Sequence, residues 1–151
     1  MDTKDPHRCE FDPASLRPRV DLVVPGDVRA IQPAVAAIMS AVSEMGCAEG
    51  KEFEIELAIT EALANAVVHG CGRDAGKQAR VVVECDPERG ILIVVRDPGG
   101  GFDPAALPSP VHGERLFARG GRGIYLINRL MDEVRFERGG TEIWMVKKNK
   151  E

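Results

Sequence analysis

The stretch Glu56–Gly70, ELAITEALANAVVHG, constrains this chain more than any other. It reads as the second half of one amphipathic helix. Residues four apart on a helix share a face, about 40° from each other. Glu61, Asn65 and His69 stand at i, i+4 and i+8 and so form one polar ridge. Leu57, Ile59, Ala62, Leu63, Ala66 and Val67 fill much of the remaining surface, small residues between larger ones. A helix this apolar is expected to be mostly buried. Its carboxylate and amide then need partners, because burying a polar group unpaired is costly. A carboxylate one turn from an amide, facing a cavity, suits a divalent cation and a proton acceptor. The same residues also fit a plainer arrangement, with Asn65 and His69 hydrogen-bonded in the core and Glu61 in solvent. The helix alone leaves both open.

The chain around it has 151 residues, the size of one domain with a real core. A net charge of −4 argues against a general nucleic-acid or anionic-membrane surface. No apolar run is long enough to span a bilayer, and the polar start MDTKDPHRCEFDP carries no secretory signal. The expectation is a cytoplasmic protein. Cys9, Cys47, Cys71 and Cys85 are far apart and make no CxxC, so they read as reduced thiols.

Residues 1–18 read as a flexible lead-in broken by Pro6, Pro13 and Pro18, and residues 19–148 as the domain. Val20–Val24 is a short strand ended by Pro25-Gly26. Asp27 is the expected N-cap of a helix to about Met45, with Pro33 blurring its start and Gly46 stopping it. The organising helix begins at Glu49 or Gly50 and ends with Gly70 as its C′ residue. Ala79–Cys85 and Gly90–Arg96 form a hairpin. Residues 104–120 lack periodicity. A helix opens at Gly120-Gly121-Arg122-Gly123 and runs to about Met131; Val134–Glu137 and Thr141–Val146 form a second hairpin around Gly139-Gly140, and Lys147–Glu151 reads as a charged tail. The order β-α-α-β-β-loop-α-β-β predicts an α+β fold: a two-layer α/β sandwich whose mixed, mostly antiparallel sheet carries helices on one face.

Two glycine-rich stretches flank the long loop. Asp97-Pro98-Gly99-Gly100-Gly101 puts a carboxylate at a strand end, followed by backbone without bulk. Asp97 can accept a hydrogen bond from an amino group, and the glycines let a flat ligand approach. It can equally cap a turn. Gly121-Arg122-Gly123 opens a helix, so free N–H groups and the positive dipole end make an anion site. Together they can hold an amino-bearing base at one end and phosphates at the other, with Asn65 offering an oxygen to Mg²⁺. No GxxxxGK[ST], Rossmann fingerprint or protein-kinase HRD/DFG set is present.

In this order and spacing, the three stretches resemble the GHKL ATPase superfamily, which has the Bergerat, histidine-kinase-like fold and includes gyrase, histidine kinases and MutL. Glu61-x-x-x-Asn65-x-x-x-His69 resembles its N box, Asp97-x-Gly99-x-Gly101 its G1 box, and Gly121-x-Gly123-x-x-Leu126 its G2 box, with residues 103–120 as the ATP lid. Within it, the phrases TEALANAVVHG and GRGIYLINRLMDEV resemble anti-sigma factor serine kinases of the RsbW/SpoIIAB type, over about residues 20–147.

The resemblance implies ATP and Mg²⁺ as cofactors. Glu61 would be the general base and Asn65 the Mg²⁺ ligand. Asp97 would bond the adenine amino group, with Gly99 and Gly101 shaping its pocket. Gly121 and Gly123 would hold the phosphates through backbone N–H groups, and Arg115 or Arg119 would meet the γ-phosphate. His69 would support the helix end. The implied activity is an anti-sigma factor and protein-serine kinase. It would hold a sigma factor or phosphorylate an anti-anti-sigma (STAS-domain) partner, and would act as a homodimer without direct contact to nucleic acid or membrane. The alternative is a non-catalytic module of the same fold that uses ATP only to set partner binding.

Overall fold

A computed structural model describes residues 17–86, 88–99 and 121–149. Its elements are β1 (Arg17–Pro25), a 3-10 turn (Val28–Ala30), α1 (Ile31–Met45), α2 (Glu52–Asn65) continued by a π turn (Ala66–Gly70), β2 (Gln78–Asp86), β3 (Gly90–Arg96), α3 (Gly121–Leu130), β4 (Glu133–Glu137) and β5 (Glu142–Lys148). The order is the expected one. The five strands lie β1-β2-β3-β5-β4, and every pairing is antiparallel, so the sheet is uniform where a mixed one was expected. Of the expected lead-in, residues 1–16 lie outside the described residues, while Arg17 and Pro18 already belong to β1. The loop 103–120 also lies outside them.

Period-two alternation decides which face of the sheet is covered. Val81 and Val83 of β2, Ile91, Ile93 and Val95 of β3, and Met145 of β5 point to one side. They join Val35, Ile38 and Val42 of α1, Ile55, Ile59 and Leu63 of α2, and Ile127 of α3 in a single core. Each such buried side chain contributes roughly 1.5–3 kcal/mol. On the opposite face Leu92 and Val146 form a small separate cluster with Val94 and Trp144. Helices therefore cover one face, as a two-layer α+β fold requires.

Several local expectations change. Asp27 does cap, through a bond from the Arg29 amide at 2.9 Å, but what it caps is the 3-10 turn. The α-helix proper starts at Ile31, which places Pro33 in its first turn, where the missing N–H costs nothing. Gly46 ends α1 in the left-handed region at φ 76°, as its position suggests. Gly70 is not a left-handed C′ residue: α2 widens into a π turn, with the Cys71 amide donating to Ala66 O at 2.8 Å, and the left-handed residues are Gly72 and Arg73. Lys147 is no free tail. Inside β5, its ammonium donates to Leu130 O at 2.5 Å and pairs with Glu54 at 2.8 Å, tying the end of α3 to the first turn of α2.

The cysteine reading is also corrected. Cys47, in the α1–α2 connection, and Cys85, in β2, form a disulfide with Cα atoms 6.0 Å apart. They are 38 residues apart in sequence, so only the packing of the connection against β2 brings them together. Cys71 is a free, buried thiol.

Candidate functional site

Helix α2 buries Ile55, Ala58, Ile59, Ala62 and Leu63 against the core. Glu61 and Asn65, four residues apart, therefore lie on one flank, each half-buried. Against that flank stands the opening turn of α3. A β-carbon at Gly123 would lie 2.9 Å from Glu61 Oε1 and 3.3 Å from Asn65 Nδ2. A side chain at position 123 would press on both, so the glycine lets the start of α3 sit against them without displacing the Glu61 carboxylate. The contact brings a carboxylate and an amide to a helix N-terminus, where free N–H groups and the dipole favour an anion. Gly121 is the first residue of α3.

The other half of the site hangs on the β3–β5 pairing. Arg96 lies opposite Glu142, and the two are joined by an ion pair in which Nη2 and Nε of Arg96 both reach Glu142 Oε2, at 2.6 and 2.8 Å. This pins the register one residue before Asp97. The Asp97 amide then donates to Thr141 O at 2.9 Å, and the Asp97 Oδ1 accepts from the Gly99 amide at 2.7 Å. Asp97 thus caps its own turn, as the plainer sequence reading had it, and also faces a cleft.

That cleft runs between the two halves. Asn65, His69, Asp97 and Thr141 supply its polar lining, and Ala62, Ala66, Val95, Ile124, Phe136 and Ile143 its apolar walls. A slot with apolar walls and a few fixed polar groups suits a flat heterocycle. Glu61 stands outside this lining, beyond Asn65 and beside Gly123. The polar ridge expected from the helix therefore divides: Glu61 and Asn65 meet α3, while His69, carried on the π turn, is exposed at the cleft wall.

The donors near Gly123 are hard oxygens, Asn65 Oδ1 and the Glu61 carboxylate, of the kind Mg²⁺ takes. Among the described residues no cluster of three or more His, Cys, Asp or Glu exists that could cage a metal on its own. Magnesium needs none: it binds through one or two side chains, phosphates and water. Behind Asp97, Cys71 is 1% exposed, and burial first, then the nearby Asp97 charge, pushes its thiol above the ordinary value.

Of the expected site residues, Glu61, Asn65 and Gly123 come together at one end, with Gly121 opening the same helix as Gly123, and Asp97 and Gly99 stand at the other. Gly101, Arg115 and Arg119 lie outside the described residues. Sequence reasoning missed Thr141 and Phe136. Each sits in an ordinary hairpin, and their signal is pairing: Thr141 lies beside the β3 end that carries Asp97. No helix among the described residues is long and apolar enough to cross a membrane.

Comparison with known proteins agrees with this geometry. The family profile of the histidine kinase-like ATPase domain matches residues 24–147. The anti-sigma F factor of Clostridium novyi (strain NT) is 32% identical over 121 residues, covering 76% of this chain and 82% of its own. The serine-protein kinase RsbW of Bacillus subtilis (strain 168) is 30% identical over 112 residues, 70% of this chain and 69% of its own. RsbW of Bacillus pumilus (strain SAFR-032) is 32% identical over 113 residues, 70% of each chain. The matched region spans every element that builds the cleft, and the chain belongs to the histidine kinase-like, or GHKL, ATPase family, with similarity to its anti-sigma factors and RsbW serine kinases.

Proposed function

We propose that this protein is an ATP-binding anti-sigma factor and protein-serine kinase that phosphorylates an anti-anti-sigma, STAS-domain partner. The observation that carries the reading is the meeting of Glu61 and Asn65 with Gly123 at the start of α3, at one end of a cleft whose other end holds Asp97. The names of the relatives support the same reading.

ATP would supply the γ-phosphoryl group, and Mg²⁺ the neutralisation of its charge. Asp97 would accept a hydrogen bond from the adenine amino group, and Gly99, with Gly101 from outside the described residues, would keep that end open to a flat base. The amides of Gly121 and Gly123 would hold the phosphates, Asn65 would offer its oxygen to Mg²⁺, and Arg115 or Arg119, which lie outside the described residues, would meet the γ-phosphate. Glu61 would take the proton of the attacking serine hydroxyl as the serine oxygen bonds the γ-phosphorus, while the bond to the β-phosphate oxygen breaks and ADP leaves. Phosphoryl transfer is mostly positioning and charge neutralisation, so these parts suffice. The protein works in the cytoplasm as a homodimer, exchanging a sigma factor for the STAS partner.

A pure ATP-dependent binding module has no use for a carboxylate beside the phosphate end, and the Glu61 contact favours the enzyme. The test is phosphoserine formation on a STAS-domain protein with Mg-ATP, read by mass spectrometry. Glu61→Ala is expected to keep ATP binding and lose roughly 10²–10⁴-fold in transfer. Transfer at the wild-type rate would remove Glu61 as the base. ATP binding without transfer by the wild-type protein would leave the binding module.

A further inference from the structure

Gly70 looks from the sequence like a helix stop, yet its backbone is not left-handed, so no conformational demand keeps a glycine there. What its position demands is space. A β-carbon at Gly70 would overlap Asp97 Cγ and lie 2.5 Å from both Asp97 Cβ and Asp97 Oδ1. Because Asp97 Cβ is fixed to the backbone, rotation of the carboxylate cannot relieve the overlap. The crowding is mutual: a β-carbon at Gly99 would lie 2.8 Å from Gly70 O and 2.9 Å from Gly70 Cα. The end of α2 and the Asp97–Gly99 turn therefore cross with backbone against side chain and nothing between. The π turn delivers this contact, by widening the helix just before Gly70. Such turns, rare in general, occur often at functional sites.

We infer that Gly70, set by the π turn, is the positioning residue that seats the Asp97 carboxylate, and through it fixes selectivity for an amino-bearing over an oxo-bearing purine base. The inference rests on the nucleotide reading above. Asp97 is held at three points: its backbone amide by the Thr141 carbonyl, its Oδ1 by the Gly99 amide, and its side chain by Gly70, where a side chain would otherwise stand. A methyl group at Gly70 displaces the acceptor from the base while leaving Glu61, Asn65 and Gly123 in place.

The test is a double-mutant cycle on the full chain with Gly70→Ala and Asp97→Gly, measuring Tm and the Kd values for Mg-ATP and Mg-GTP. Gly70→Ala is expected to lower Tm, weaken ATP roughly tenfold or more, and narrow the ATP-to-GTP preference; a charge-assisted hydrogen bond is worth about that. In the Asp97→Gly background, which removes the Asp97 β-carbon as well as the carboxylate, the same substitution is expected to cost little Tm, because the methyl enters vacated space, and to cost no further ATP affinity. Should Gly70→Ala alone fail to fold, recovery of a folded double variant supports the contact, and a double variant that also fails to fold overturns it. Wild-type affinity and preference in Gly70→Ala, or additive losses in the double variant, overturn the inference while wild-type ATP binding leaves the nucleotide reading intact. Failure of the wild-type protein to bind Mg-ATP overturns that reading and the inference with it.

Discussion

At Gly123 a side chain would have to share space with the Glu61 carboxylate. The crowded atom is the far end of a flexible side chain, so it can move aside at little structural cost. Gly123→Ala is therefore expected to lower Tm only slightly and to reduce phosphotransfer strongly, because the displaced carboxylate is the proposed base. Circular dichroism melting beside a transfer assay checks this; full transfer activity in Gly123→Ala would count against the role of Glu61. Cys71 offers a pH-dependent check on the other end. Burial and the Asp97 charge raise its thiol pKa, so the protonated form is favoured in the folded state. Its contribution to stability is fully present below the unfolded thiol value and lost as pH rises through the folded one. Native protein at pH 8 is expected to resist alkylation at Cys71 until it unfolds, as mass spectrometry of iodoacetamide-treated protein would report. The spacing of Glu61 and Asn65 was legible in the sequence because helical periodicity fixes it locally. The roles of Gly70 and Thr141 were not, because each depends on what another element places beside it.

Elements were legible in the same measure. Strand and helix cores followed from alternation and helical spacing, whereas ends were settled by tertiary partners: Pro33 fell inside α1 because the 3-10 turn came first, and Lys147 joined β5 because Leu130 and Glu54 receive its ammonium. The Cys47–Cys85 pair is the clearest case, since no spacing rule finds two thiols brought together by a helix connection packing on a strand. Their disulfide ties the connection leading into α2 to β2, hence the helix bearing Glu61 to the sheet bearing Asp97. A crosslink closing a loop of this size is worth about 2–4 kcal/mol. Reduction, or Cys85→Ser, is expected to lower Tm by several degrees, roughly 2–4 °C per kcal/mol for larger domains and more for smaller ones. Melting with and without dithiothreitol, alongside a non-reducing peptide map, decides it; an unchanged Tm with both thiols alkylated in the native protein would show that the pair does not form.

The whole molecule gathers four segments distant in sequence around one cleft: the end of α2, the end of β3, the start of α3 and the β4–β5 hairpin. A single helix-covered face allows this, because the core fixes α2 and α3 side by side over the sheet and leaves their junction open. The central claim is that this cleft takes Mg-ATP with its base at Asp97. The most direct measurement is a thermal-shift titration with ATP, with and without Mg²⁺, on wild type and Asp97→Asn. A ligand at about 100 times its Kd stabilises a fold by roughly 2.7 kcal/mol. The expected result is a Mg²⁺-dependent rise in wild-type Tm that Asp97→Asn loses. No shift in the wild-type protein at millimolar Mg-ATP, or an equal shift in Asp97→Asn, would contradict it.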